Sequence, residues 1–250
     1  MNIRVKNEFI EKWQKYFGKS ELPVTFYFSD GTGDAKQFRS DKLRSCFICD
    51  MAKARKGLNL YFNAGSVTCG GGKRYLGYTD KLRPGFEYFL SCGNKNIEGE
   101  RYLKSPEMVT QFLKRRKYIP VHTKNIIFKR WDKLTEKDNP EVVIFFAKPD
   151  ILAGLYTLAG YDHIHEDAVI TPFGAGCATI VQYPLLEKER EHPRGVIGMF
   201  DSSARPCVQP DVLTFAVPIK KFLSMMSNMD ESFLITDTWK KMKKRIDKTN

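Results

Sequence analysis

The chain has 250 residues, 42% of them hydrophobic, and its 18 Phe and 11 Tyr supply core for one large domain or two closely packed halves. No apolar run approaches the ~20 residues of a membrane span, and the first residues lack a signal peptide's apolar segment, so the expectation is a cytoplasmic protein without a membrane partner. A net charge of +12 invites a nucleic-acid partner, but much of it lies in a C-terminal run and in Lys114-Arg115-Arg116-Lys117 with no recognition motif, which disfavours that partner.

In chain order, residues 2–17 carry apolar side chains at helical spacing and Gly18 ends them. Residues 22–28 read as a strand, and Gly31, Gly33 and Asp34 as a loop. Asp41 or Ser45 caps the next helix, which carries Cys46 and Cys49 and ends at Gly57. A strand over 58–62 delivers the chain to Cys69, and residues 86–90 look extended. Ser105-Pro106-Glu107 opens a helix with a capping serine, proline in the first position and an acid in the first turn. Strands follow at 125–129 and, after the turn-rich stretch 136–140, at 142–147, where the run Val-Val-Ile-Phe-Phe-Ala fits a strand buried on both faces. A helix from Pro149 closes at Gly160; a strand at 168–171 leads to Cys177 and a helix that fades near Pro184. Strands at 196–200 and 212–217 and helices from Ile219 and Thr236 complete the chain.

The pattern implies an α/β (or α+β) fold, a mixed sheet with flanking helices in one globular domain over 1–250. Sub-halves 22–135 and 140–226 share an order of elements, with helix 2–17 and the basic helix 236–248 appended. A two-lobed pseudo-duplication would match 24–28 to 142–146, the helix ending at Gly57 to the helix ending at Gly160, and Cys69 to Cys177. In the last helix, Trp239, Met242 and Ile246 form one apolar face opposite a solvated basic one.

The chemistry centres on two cysteine–glycine turns, Cys69-Gly70-Gly71-Gly72-Lys73-Arg74 and Gly174-Ala175-Gly176-Cys177. A cysteine in the first turn of a helix is expected to ionise easily, because the helix start favours an anion. Glycine amides with Lys73 and Arg74 suit an anion, and Arg205, set four residues after Asp201, could fork onto a carboxylate or phosphate. The bland alternative is two separate loops with buried cysteines. Cys46-x-x-Cys49 has redox-dithiol spacing but follows a charged stretch rather than a strand, and His163-x-His165 reads as a polar surface turn.

Ser66-Val67-Thr68-Cys69-Gly70-Gly71, the 142–147 run with Pro149, Gly176-Cys177-Ala178, Asp201…Arg205 and Leu213…Val217-Pro218 together resemble the prokaryotic family catalogued as domain of unknown function 169, over roughly 22–226. That resemblance implies a cytoplasmic α/β protein with spaced cysteines and no established activity. The family cysteines would be Cys49, with Cys46 less surely, Cys69 and Cys177. Where many members carry a further cysteine this chain has Phe200, which weakens a four-thiolate cluster; Cys207 could substitute only by a fold-back of its loop. Cys49, Cys69 and Cys177 are then the metal-ligand candidates. The favoured reading is a pocket of Cys69, Gly70, Gly71, Gly72, Lys73, Arg74, Gly174, Gly176, Cys177, Asp201 and Arg205 that binds a metal, an iron–sulfur cluster or a small anionic ligand. The alternatives are a thiol enzyme using Cys177 or Cys69 as nucleophile and, last, a nucleic-acid-binding protein; a homodimer is left open.

Overall fold

The computed structural model describes residues 1–38 and 45–249, so the expected cap at Asp41 lies outside the described residues. The first helix, α1 (Ile3–Phe17), is capped by the Asn2 side chain on the Arg4 N–H and stopped by Gly18, whose φ of 64° a residue with a side chain rarely adopts. Strand β1 (Val24–Ser29) follows, then a two-residue strand β2 (Lys36–Gln37) inside the stretch read as loop. Next come α2 (Phe47–Arg55), β3 (Leu60–Phe62), and an excursion that holds α3 (Gly70–Tyr75), α4 (Phe86–Phe89) and α5 (Pro106–Arg115). Strands β4 (Asn125–Arg130) and β5 (Val142–Ala147), helix α6 (Pro149–Gly160) and the short β6 (Val169–Ile170) lead to a π-helical stretch, Ala178–Gln182, that runs into α7 (Tyr183–Lys188). The chain ends with β7 (Gly195–Gly198), β8 (Leu213–Pro218), α8 (Ile219–Ser227) and α9 (Asp237–Thr249).

Two local expectations are corrected. Residues 86–89 are helical rather than extended, with Leu90 as the cap: Gly85, in the left-handed region at φ 76°, starts a single turn in which the Phe86 and Phe89 rings meet tilted, 5.9 Å between centroids. Pro184 does not end its helix: it sits where the π-helical stretch passes into α7, and the helix continues through it to Lys188.

Among the described residues, eight strands form one mixed sheet in the order β2-β3-β4-β1-β5-β8-β7-β6. Read outward from the centre, β1-β4-β3-β2 are joined by antiparallel, antiparallel and parallel pairings; β5-β8-β7-β6 repeat that series. The antiparallel β1–β5 pair joins the two sets. Such a pair is two-fold symmetric about a line normal to the sheet, so equivalent connections fall on the same face. The helix after β2 (α2) therefore corresponds to the helix after β6 (the π stretch with α7), and both cover the face of Phe26, Phe128, Ile144 and Ala216. This corrects the expected matching. Helix α6 lies between β5 and β6 on the other face and has no counterpart between β1 and β2. Cys177 corresponds to Cys46 and Cys49, and the Cys69 connection to the 199–212 connection, while the match of β1 to β5 stands.

The second face carries Val143, Phe145, Phe215 and Val217 under α1, α6, α8 and α9, with Trp13, Phe17 and Trp239 packed as an aromatic cluster. Strand β5 is buried at every residue, as its continuous apolar run requires when both faces are covered. Trp239 and Ile246 anchor α9.

Candidate functional site

Five of the six cysteines gather on the α2/α7 face. Cys46 is the N-cap of α2, so the C-x-x-C does open a helix, with Cys49 one turn on. The 199–212 connection folds back over α2 and Cys207 is disulfide-bonded to Cys49, their Cα atoms 4.6 Å apart. Cys69 caps α3, its sulfur accepting the Gly72 N–H at 3.3 Å. Cys177 begins the helix that continues through α7 and is buried in the core. Cys46, Cys69, Cys177 and Asp201 lie within electrostatic reach of one another, and Cys92 alone is exposed and elsewhere.

This arrangement has a regularity. The Cys49–Cys207 bond links the α2 start of one half to the β7–β8 connection of the other. Cys177 and Cys69 relate the α7 helix start to the β3–β4 connection, which is the same relation with the halves exchanged. One cross-half pair is bonded and the other consists of thiols, with Cys46 beside them.

The helix start does not lower the Cys177 thiol. Burial pushes it well above the ordinary value, and Cys69, Cys46 and Asp201 add to the push. Asp201 supplies the reason: its carboxylate accepts the Gly176 N–H at 3.1 Å, so the anion-favouring end of the helix is already occupied. The other carboxylate oxygen accepts from the Ser203 N–H and hydroxyl. Burial also raises the Cys46 thiol; the N–H groups of Ile48 and Cys49 oppose it, while Cys69 and Asp201 reinforce it.

The expected glycine cradle is largely filled by the protein itself. A methyl group on Gly72 would meet Val67 at 3.0 Å and Phe47 at 3.1 Å, so glycine there lets α3 press against α2. One on Gly174 would collide with the Arg116 guanidinium, and one on Gly176 would meet the Met199 sulfur at 2.9 Å. Gly70 and Gly71 are exposed on the first turn of α3. Of the expected cations, Arg74 bonds the Asp80 carbonyl and lies over the Tyr118 ring, and Arg205 forks onto the carbonyls of Met199, Gln209, Pro210 and Val212, closing its own connection. Lys73 is half-buried on α3. Phe200, 60% exposed, precedes Asp201 at the rim.

Cys49 is not a free thiolate, since its sulfur is bonded to Cys207, which removes it from the expected metal ligands. Among the described residues no three His, Cys, Asp or Glu side chains converge to hold a metal ion, and the rings of His163, His165 and His192, 5.4 to 6.4 Å apart, are no exception.

Sequence reasoning missed Arg116 and Tyr75. Arg116, at the end of α5, donates to the hydroxyls of Tyr75 and Tyr183 and to the Phe173 carbonyl, tying α5, α3 and the Gly174 turn together. Tyr75 stands between Arg116 and Cys177: burial raises its hydroxyl pKa, Arg116 opposes and Cys177 adds to the rise. The only signal was an arginine inside a run that reads as solvated charge.

No curated protein and no solved structure matches the chain. A family model does, across residues 13–228, which takes in both halves of the sheet and all five gathered cysteines: the chain belongs to the DUF169 family, described as Uncharacterised ArCR.

Proposed function

We propose that the protein works by thiol–disulfide exchange at the gathered cysteines. The observation that carries this reading is the free Cys46 placed one helical turn before Cys49, whose sulfur is already in a disulfide. Residues three apart on a helix share a face, so Cys46 is set to attack the Cys49 sulfur. In that step the Cys46–Cys49 bond forms and the Cys49–Cys207 bond breaks. Cys207 leaves as a thiolate and takes up the proton that Cys46 released, with no net oxidation. Turnover requires a partner of the dithiol class: its two thiols close to a disulfide while the protein's disulfide opens to two thiols.

Burial of Cys46 predicts the pH dependence. The thiolate attacks, and the Cys46 thiol is held above its ordinary value of 9.0, so exchange is slow near neutral pH. Its rate should rise about tenfold per pH unit until that raised value is reached. Peptide mapping of unreduced protein is expected to recover the Cys49–Cys207 link. Incubation without added thiol at increasing pH should convert part of that link into Cys46–Cys49 peptides, and Cys46→Ser should abolish them. Failure to form that second link, or protein purified without oxygen that carries stoichiometric iron and sulfide on these cysteines, overturns the reading.

A further inference from the structure

The excursion between β3 and β4, residues 63–124, holds twelve Lys and Arg against five Asp and Glu, and so supplies most of the chain's net charge of +12. Elsewhere several cations are answered from within: Lys129 by Asp34 and Asp138, Arg194 by Glu187 and Asp167, Lys221 by Asp162, Arg245 by Asp150. Among the described residues no ion pair includes any residue of the excursion. Three of its cations lie over aromatic rings. Arg83 lies 4.3 Å over Phe89, Arg116 4.7 Å over Phe112, and Arg74 over Tyr118. Phe112 meets Phe173 edge-on at 5.6 Å; Phe173 is 55% exposed and Tyr88, on α4, is 37% exposed.

We propose that this excursion is a binding surface for single-stranded nucleic acid. Lysines and arginines without an ionic partner call for a polyanion, and the exposed rings of Tyr88, on the same excursion, and of Phe173, beside Arg116, select among polyanions. A base has a face to stack on Tyr88 or Phe173, whereas an acidic peptide offers none. The C-terminal helix, where much of the basic charge was read from sequence, is different in kind: its apolar face is spent on Trp239 and Ile246 in the core. The step is binding alone and stands independently of the thiol chemistry.

The test is fluorescence anisotropy of the full chain with a labelled mixed-sequence single-stranded RNA 20-mer across a salt series. Binding that weakens steeply with salt is expected. The variant Lys114→Gln/Arg115→Gln/Lys117→Gln removes three exposed cations without touching Arg116. It should weaken binding at least tenfold at low salt and make the log–log salt slope shallower by about 2, at roughly 0.7 per lost phosphate contact. Tyr88→Ala should weaken binding at every salt concentration without altering the slope. Lys240→Gln/Lys241→Gln/Lys243→Gln, on α9, should change affinity less than twofold. Circular dichroism melts confirm that each variant is folded. Absence of RNA binding, equal losses from the two triple variants, or tight binding to vesicles containing anionic lipid with none to RNA overturns the proposal.

Discussion

The Asp201 carboxylate and the Cys177 sulfur meet the same helix end, and only one of them can hold the negative charge there. Asp201 has the Gly176 N–H, so Cys177, with burial also against its anion, stays a thiol. Asp201→Asn keeps an oxygen for that N–H and removes the charge. The Cys177 and Cys46 thiols should then titrate lower than in the native protein, as read from thiolate ultraviolet absorbance against pH. Unchanged titration would exclude Asp201 as a cause and leave burial and the neighbouring cysteines. A second consequence concerns stability. A thiol whose pKa is raised by folding keeps its contribution below the unfolded value and loses it as pH climbs through the folded one. Native stability should thus fall as pH rises beyond the ordinary thiol value of 9.0. Cys177→Ala should flatten that alkaline limb in urea unfolding followed at several pH values.

Among the elements, β4 carries the most demanding side chain in the sheet. Lys129 is 2% exposed, and Asp138, 3% exposed, faces it at 3.0 Å while also accepting from Thr135 and Tyr27. Asp34 completes the group. A buried cation deprived of its partner costs about 3–5 kcal/mol; Asp34 stays beside Lys129, so Asp138→Ala should lower unfolding free energy by at most that order. The net effect of its partners holds the Asp138 carboxyl below the usual range despite the opposing cost of burial; Lys129, ahead of that cost, does the same for Asp34. Carboxylates lowered in the fold give their stability above the ordinary value and lose it as pH falls, so an acid limb should begin near pH 4 and shrink in the variant. None of this was legible in sequence, where a lysine after Ile-Ile-Phe reads as a strand's solvent edge. What was legible had a strong local cause: the Ser105-Pro106 helix start, the run of β5, the stop at Gly18. What was not legible was either too short to carry a period, as with β2 and α4, or made by segments distant in sequence, as with Arg116 on Tyr183 and Cys207 on Cys49.

At the scale of the whole molecule, the sheet repeats one four-strand order about the β1–β5 pair, and both cores, one on each face, draw side chains from the two halves. Strand β1 meets β5 over only three residue pairs, against six between β1 and β4 and six between β5 and β8. The seam is thus the shortest of the central pairings, and the Cys49–Cys207 bond crosses it at a sequence separation of 158. Closing so long a loop in the unfolded chain removes entropy equivalent to about 5 kcal/mol at most. The bond therefore ties the two halves beside the shortest of the central strand pairings, and the proposed exchange with Cys46 would open that tie as well as free a thiol. Cys207→Ser should lower unfolding free energy by up to that amount. Its effect on hydrogen exchange should concentrate in β1, β5 and the start of α2, with the outer strands β3 and β7 little changed. Uniform loss of protection across the sheet would mean that the bond stabilises the fold only through the unfolded chain and that the seam is no weaker than its neighbours.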